Sequence, residues 1–204
     1  MKVVVFISGR GSNLAALLNA QQSGGFEVVH VISNKASAYG LEIAQENGVN
    51  NSHIVWTDKQ QGEQYAIEVL NQVKPDLIVL AGFMKVLSAQ FVAQFENKII
   101  NIHPSLLPLY PGLNTHQRAI DDGQTIHGAS VHLVDDQLDH GLVLSQCHVE
   151  ITQQDTADSL AVKLITKEHR LLTETVALIA ANKLTWIDSL ALNGEPLASA
   201  LVIE

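Results

Sequence analysis

Apolar residues fall in short continuous runs early in the chain and in alternating runs later, and the two patterns predict different kinds of strand. Lys2–Ile7 (KVVVFI), Glu27–Ile32 (EVVHVI) and Leu77–Leu80 (LIVL) are almost wholly apolar and rich in β-branched residues, as expected of strands covered on both faces. His53–Val55 and Ile99–Ile102 read as two more strands. Between them Asn13–Gln22, Leu41–Asn47, Gln61–Val73 and Ala89–Phe95 are amphipathic at helical spacing. Strand and helix alternating at this interval predict parallel β-α-β units with helices on both faces. From about Ala129 the pattern changes. Gly128–Val134 and Leu142–Val149 alternate apolar with polar residues across a short connection, which predicts an antiparallel pair. A last helix over Thr156–Ala181 opens on the cap-rich DTADS. The expected fold is α/β: a Rossmann-like open, mostly parallel sheet with an antiparallel C-terminal extension, in one domain over residues 1–204.

Composition narrows the function classes. The chain of 204 residues has 47% hydrophobic residues, enough to bury a core without covalent staples. Its single cysteine, Cys147, excludes a disulfide framework or a multi-cysteine metal site and suits a reducing compartment. Twelve Lys and Arg against 21 Asp and Glu leave a formal charge of −9, a surface that repels the nucleic-acid backbone. The longest apolar runs fall short of the roughly 20 residues that span a bilayer. MKVVVFISGRGSN passes from an apolar run directly into glycines, so it reads as a first strand rather than a secretory segment. A cytoplasmic protein that binds neither membrane nor nucleic acid is expected, as a monomer or homodimer.

Ser8-Gly9-Arg10-Gly11-Ser12-Asn13 follows the first strand and opens a helix. Two glycines that permit close approach, and backbone amides at a helix start, form an anion cradle. A dinucleotide fingerprint does not fit, because Leu14 stands in the third glycine's place and the second strand ends in Ser33-Asn34 without an acid. A P-loop lysine is also missing. A single phosphate ester fits better.

The stretch Asn101-Ile-His103-Pro104-Ser105-Leu-Leu-Pro108-Leu-Tyr110-Pro111-Gly112 is more informative. Alternation places Asn101 and His103 on one side of a strand where it ends, the position at which open α/β sheets hold ligands. The prolines and Gly112 fix the outgoing loop. An imidazole can move a proton near neutral pH, and an amide N–H can hold a developing oxyanion. A carboxylate to tune the imidazole is available from Asp135, Asp136 or Asp139, between the two late strands. His127, His132 and His148 lie on strands without metal-ligand spacing, so no metal is expected. Cys147 reads as a buried thiol and Ser105 as a loop cap.

SGRGSN, AGFMKVLS, NIHPSLLPLYPG and GASVHLVDDQLDHG together resemble the folate-dependent formyltransferases, over Lys2 to about Leu172. The Asn-x-His-Pro-Ser-Leu-Leu-Pro signature is shared by relatives that formylate an aminoacyl-tRNA or hydrolyse formyltetrahydrofolate. The SGxGSN loop, and a length that leaves no room for those relatives' extra domains, point to a ribonucleotide acceptor. The resemblance implies transfer of formyl from 10-formyltetrahydrofolate to the amine of glycinamide ribonucleotide, the third step of purine (IMP) biosynthesis, without metal. Hydrolysis, or transfer to another amine, is the alternative.

Carried across, the resemblance makes Asn101, His103 and Asp139 the catalytic trio. Asn101 and His103 would steady the oxyanion, and Asp139 would raise the imidazole pKa and take the amine's proton through water. Gly11, Ser12, Asn13 and Glu168 would hold the phosphate and ribonucleotide. Met84, Lys85, Val86 and Leu87, with Asn101, Asp135 and Asp139, would hold the folate. Residues 1–100 then form a phosphate- and ribonucleotide-binding half, and 101–204 a catalytic and folate-binding half. Arg10 and Lys85 are the local cations for two anionic substrates. Three departures stand out: Lys85 where arginine is common, His140 where glycine is usual, and Lys59 in place of an arginine used toward the folate tail.

Overall fold

The structure, a computed structural model, describes residues 1–187 and 189–204. Val3 to Ile7 of strand β1 (Lys2–Ile7) are 0% exposed, and their side chains alternate between two cores. That is what a continuous β-branched run requires: a strand in mid-sheet with helices on either side. The chain continues as α1 (Ser12–Gly24), β2 (Glu27–Ser33), α2 (Tyr39–Glu46), β3 (Asn50–His53), α3 (Lys59–Val73), β4 (Leu77–Leu80), α4 (Ala89–Gln94) and β5 (Ile99–His103). It then forms α5 (Thr115–Asp121), β6 (Ile126–Leu133), β7 (Val143–Glu150), α6 (Ala157–Ala180) and four two-residue strands, β8 (Leu184–Thr185), β9 (Ala191–Leu192), β10 (Glu195–Pro196) and β11 (Leu201–Val202).

The eight-stranded sheet has the order β11-β7-β6-β5-β4-β1-β2-β3, and β8, β9 and β10 form a small antiparallel sheet. β1 to β5 pair in parallel, whereas β6 lies antiparallel to both β5 and β7. The expected Rossmann-like sheet with an antiparallel extension is therefore present. Among the described residues, no helix is long and apolar enough to cross a membrane.

Three local differences have physical causes. β3 lies at Asn50–His53, ahead of the apolar residues on which the sequence places it. It is a polar edge strand, and Ile54 and Trp56 beyond it turn inward to the second core. α5 forms inside a stretch that reads as loop, with Thr115 and Ala119 buried one turn apart. The last four short strands leave no pattern long enough to read. The long helix α6 does begin where DTADS predicts. Thr156 Oγ1 accepts the Ser159 N–H and Ser159 Oγ accepts the Thr156 N–H, a reciprocal cap.

One core packs α1, α2 and α6 on the first face of the sheet, and the other packs α3 and α4 on the second. On β1 and β4 the second-face positions are Val4, Phe6, Ile78 and Leu80. Ile100, Ile102, Ala129, Val131 and Leu133 of β5 and β6 belong to the first core. The alternate positions on those two strands are Asn101, His103, Ser130 and His132. So the second face turns polar over β5 and β6, and there the loops 104–112 and 134–142 fold over it.

Candidate active site

At the end of β1 the chain makes its turn with Gly11 at φ +76°, a left-handed conformation that costs glycine little. A Cβ there would also come within 2.6 Å of Gly40 Cα, so α2 packs against the loop backbone to backbone. Gly40 N–H donates to the Gly9 carbonyl at 3.1 Å. The helix α1 then starts at Ser12 with no side-chain cap, which leaves its first N–H groups to an anion. Asn13 lies beside Glu168 of α6 and favours its charged form. Asn13 Oδ1 is buried and accepts no hydrogen bond among the described residues. Burial pushes the Glu168 carboxyl up to about 7, against the pull of Asn13. The four residues expected at a phosphate and ribonucleotide site thus adjoin one another.

On the second face, β5 pairs with β6 so that Asn101 lies opposite His132 and His103 opposite Ser130. Ser130 Oγ donates to the Ser105 carbonyl at 2.6 Å and accepts from Leu107 N–H at 3.0 Å. Those bonds fold the 104–112 loop back over the strand that made it. Ser105 closes the loop by donating to the Leu109 carbonyl, as its cap reading requires. Arg118 donates to the Pro111 carbonyl at 2.6 Å and lies over the Tyr110 ring. Its charge serves the loop.

Asp139 joins these groups from the β6–β7 connection. Its Oδ2 accepts the Gly112 N–H at 2.8 Å and lies 3.3 Å from His103 Nδ1, and its Oδ1 accepts from Asn101 Nδ2 at 3.4 Å. His103 Nε2 donates to the Tyr110 carbonyl at 2.9 Å. Tyr110 and Asp139 hold φ values of +56° and +51°, costly for side-chain-bearing residues and characteristic of sites where geometry is fixed by function.

Burial pushes the His103 imidazole below its ordinary value, outweighing the Tyr110 carbonyl and the Asp139 charge. Burial works against the Asp139 charge too. The Gly112 N–H and the neighbouring His132 and His103 rings outweigh it and hold the carboxyl below its usual range. Near neutral pH the resting pair is therefore a carboxylate beside an uncharged imidazole.

His132 belongs to this cluster although its sequence neighbourhood gives no sign of it. Its Nδ1 donates to the Leu133 carbonyl at 2.7 Å, so its Nε2 must accept from Asn101 Nδ2 at 3.1 Å. That fixes which way the Asn101 amide faces. The available signal was the register: two residues in the alternating SVHLV segment, placed opposite Asn-x-His. A second pair, His116 Nδ1 and His127 Nε2 at 2.9 Å, underlies the next loop. Burial and the neighbouring His116 push His127 down to about 4, against the opposing pull of the Pro104 carbonyl.

The cluster borders an open cleft lined by Leu80, Lys85, Val86, Leu87, Asn101, His132, Val134 and Asp135 to Asp139. Its wall is part apolar and part acidic, as a flat polar heterocycle would need. Met84 departs from expectation. It is 62% exposed and does not line the cleft, and its N–H instead donates to Ser8 Oγ. His140, the unusual residue beside Asp139, lies 2.8 Å from Asp135 Oδ2 and so ties the two ends of the acidic loop together.

β1, β4 and β5 are adjacent, so phosphate cradle, cleft and polar cluster share the carboxyl ends of neighbouring strands. The family model described as formyl transferase matches residues 1–176. This chain belongs to the formyl transferase family. It is 39% identical to phosphoribosylglycinamide formyltransferase of Escherichia coli (strain K12), over 92% of this chain and 94% of that protein. The solved phosphoribosylglycinamide formyltransferase of Coxiella burnetii superposes with a TM-score of 0.93 at 41% identity, covering 100% of this chain and 99% of that one. A formyltetrahydrofolate deformylase from Pseudomonas putida KT2440 is more distant, at 26% identity and a TM-score of 0.83, and this chain covers 69% of it.

Proposed function

We propose that this protein transfers the formyl group of 10-formyltetrahydrofolate to the primary amine of glycinamide ribonucleotide, in purine biosynthesis, and acts in the cytoplasm. One observation carries the reading: Asn101 and Asp139 line a cleft whose other wall is Lys85 to Leu87, and the buried His103 backs Asp139 at 3.3 Å. Likeness to the E. coli and C. burnetii enzymes over nearly their whole lengths supports the same acceptor.

The folate, when bound, supplies an activated formyl carbonyl. The N-terminus of α1, with Gly11, Ser12 and Asn13, takes the ribonucleotide phosphate, and Glu168 with Asn13 Oδ1 takes its hydroxyl donors. Arg10 and Lys85 supply local positive charge on an acidic protein. Positioning the amine beside the carbonyl provides a large part of the acceleration. The Asn101 amide, oriented by His132, offers an N–H to the formyl oxygen. Its 3.4 Å contact with Asp139 is the weaker of its two bonds and the one exchanged. A proton shed by the amine has an acceptor in the His103–Asp139 pair, where a lone pair on Nδ1 faces a carboxylate. Once protonated, the imidazolium steadies negative charge on the formyl oxygen. As the tetrahedral intermediate collapses, the formyl–N10 bond breaks and the proton passes to N10, which leaves as the amine of tetrahydrofolate.

The deciding test is a steady-state assay with both substrates, beside release of formate from 10-formyltetrahydrofolate alone. Transfer that depends on the amine, with little formate without it, is expected. Rapid formate release with no amine present would assign a hydrolase instead.

A further inference from the structure

Lys85 to Leu87 wall the cleft, yet the segment 84–88 that carries them forms no strand or helix. Their order comes from both ends. Met84 N–H donates at 2.7 Å to Ser8 Oγ, which in turn donates to Asn34 Oδ1. Ser88 N–H donates at 2.6 Å to Glu63 Oε1, and Ser88 Oγ donates to Glu63 Oε2. Ser8 is 4% and Glu63 7% exposed. Just ahead of the segment, Phe83 packs edge-on against Phe6 and Trp56. Between the anchors, no backbone N–H or carbonyl of Lys85, Val86 or Leu87 makes a hydrogen bond among the described residues. These three successive peptide groups beside the cleft, those of Lys85 and Val86 on exposed residues, are open to a ligand that enters it.

Glu63 is the telling residue. A buried carboxylate with no cation beside it is a costly way to accept two hydrogen bonds, and no ion pair involves it among the described residues. Capping α4 does not require it, because Ser88 Oγ already accepts the Phe91 N–H. What the carboxylate adds is a two-point grip on the residue that ends the cleft wall.

We propose that Glu63 and Ser8 are positioning residues that clamp the 84–88 segment, so that the free peptide groups of Lys85 to Leu87 meet the edge of the folate heterocycle. The proposal rests on the folate reading of the cleft. Because Ser8 also leads into Gly9 and the phosphate turn, it fastens the two substrate pockets to one hydroxyl.

The test compares Glu63→Ala, Glu63→Gln and Ser8→Ala with the wild type. Steady-state kinetics, the unfolding midpoint in urea and amide hydrogen exchange at Ser88 without ligand are measured. Glu63→Ala is expected to raise the KM for 10-formyltetrahydrofolate about tenfold, the scale of losing a charge-assisted hydrogen bond. The ribonucleotide KM and kcat should stay within about twofold, while Ser88 exchange accelerates. Glu63→Gln keeps one acceptor oxygen and should recover most of the loss. Ser8→Ala should raise both KM values. An unchanged folate KM in Glu63→Ala, or a parallel loss of kcat, both KM values and stability, overturns the clamp while leaving the formyl-transfer reading intact. A wild type that neither turns over nor binds tetrahydrofolate overturns that reading and the clamp with it.

Discussion

The proposed anion site at the end of β1 is built from backbone alone. Gly11 in its left-handed turn, Gly40 packed against it, and the open first turn of α1 form it before any side chain is counted. At the end of β5 the chain does the opposite. There Asn101, His103, His132 and Asp139 are brought from three segments and hold one another through their side chains, and Gly112 N–H and the Tyr110 carbonyl are borrowed to complete the set. A site of the first kind should be fragile to any change of backbone geometry and tolerant of polar substitutions. The second kind should lose chemistry without losing fold.

The largest effect expected from that contrast is at Asp139. Replacement by Asn keeps the shape but removes the charge that faces His103 Nδ1, so kcat should fall by about 10³-fold, within the range of positioned acid–base groups. Tetrahydrofolate affinity and the urea midpoint should barely move. A comparable fall in stability would mean that the polar cluster is a structural core.

Much of this contrast was legible in the sequence. A backbone site leaves a contiguous trace, here a strand, two glycines and a helix start, and so SGRGSN could be read in place. Asn101 and His103 were legible for the same reason: they share one strand and one face. Which of Asp135, Asp136 and Asp139 completes the set depends on loop geometry, and residue spacing alone left it open. His132 was invisible because its partner lies 31 residues away in sequence, across a register that only the folded sheet defines. Glu63 and Ser8 were missed likewise, since a polar residue in a helix or at a strand end looks the same whether or not it anchors a distant loop. α5 and the short terminal strands are too brief to generate a period.

The phosphate side contains one exception to its backbone rule, and pH exposes it. A carboxyl raised from 4.5 to about 7, as Glu168 is, stabilises the fold fully below pH 4.5. That contribution is lost as pH rises through about 7. Its full size is on the order of 3 kcal/mol. His127, pushed down to about 4 from 6.5, works with the opposite sign, and its contribution present above pH 6.5 is lost as pH falls through about 4. Subtracting the stability of Glu168→Gln, measured in urea from pH 4 to 8, isolates the carboxyl. The variant should match the wild type near pH 4 and exceed it by pH 8. A constant difference would mean that Glu168 is solvated.

Gly11→Ala tests the backbone rule directly. The positive φ and the 2.6 Å approach to Gly40 should together cost ~2 kcal/mol of stability. The ribonucleotide KM should rise about tenfold as the α1 amides move off their target, while kcat at saturation changes less than threefold. If kcat fell instead, the cradle would be taking part in the chemistry.

The smallest expected effect is at His140. Its contact with Asp135 joins the ends of the loop that presents Asp139, but His140 is exposed, with a side chain 61% accessible. Exposed pairs contribute little and are screened by salt. His140→Ala should therefore change kcat/KM for the folate by less than about fivefold, and raising the salt should shrink the gap between variant and wild type. The bonds that fix Asp139 itself, from Gly112 and Asn101, do not pass through His140. A loss approaching that of Asp139→Asn would mean that those bonds cannot hold the carboxylate alone. The side-chain site would then owe its geometry to a surface ion pair, and the contrast with the phosphate loop would deepen from chemistry into stability.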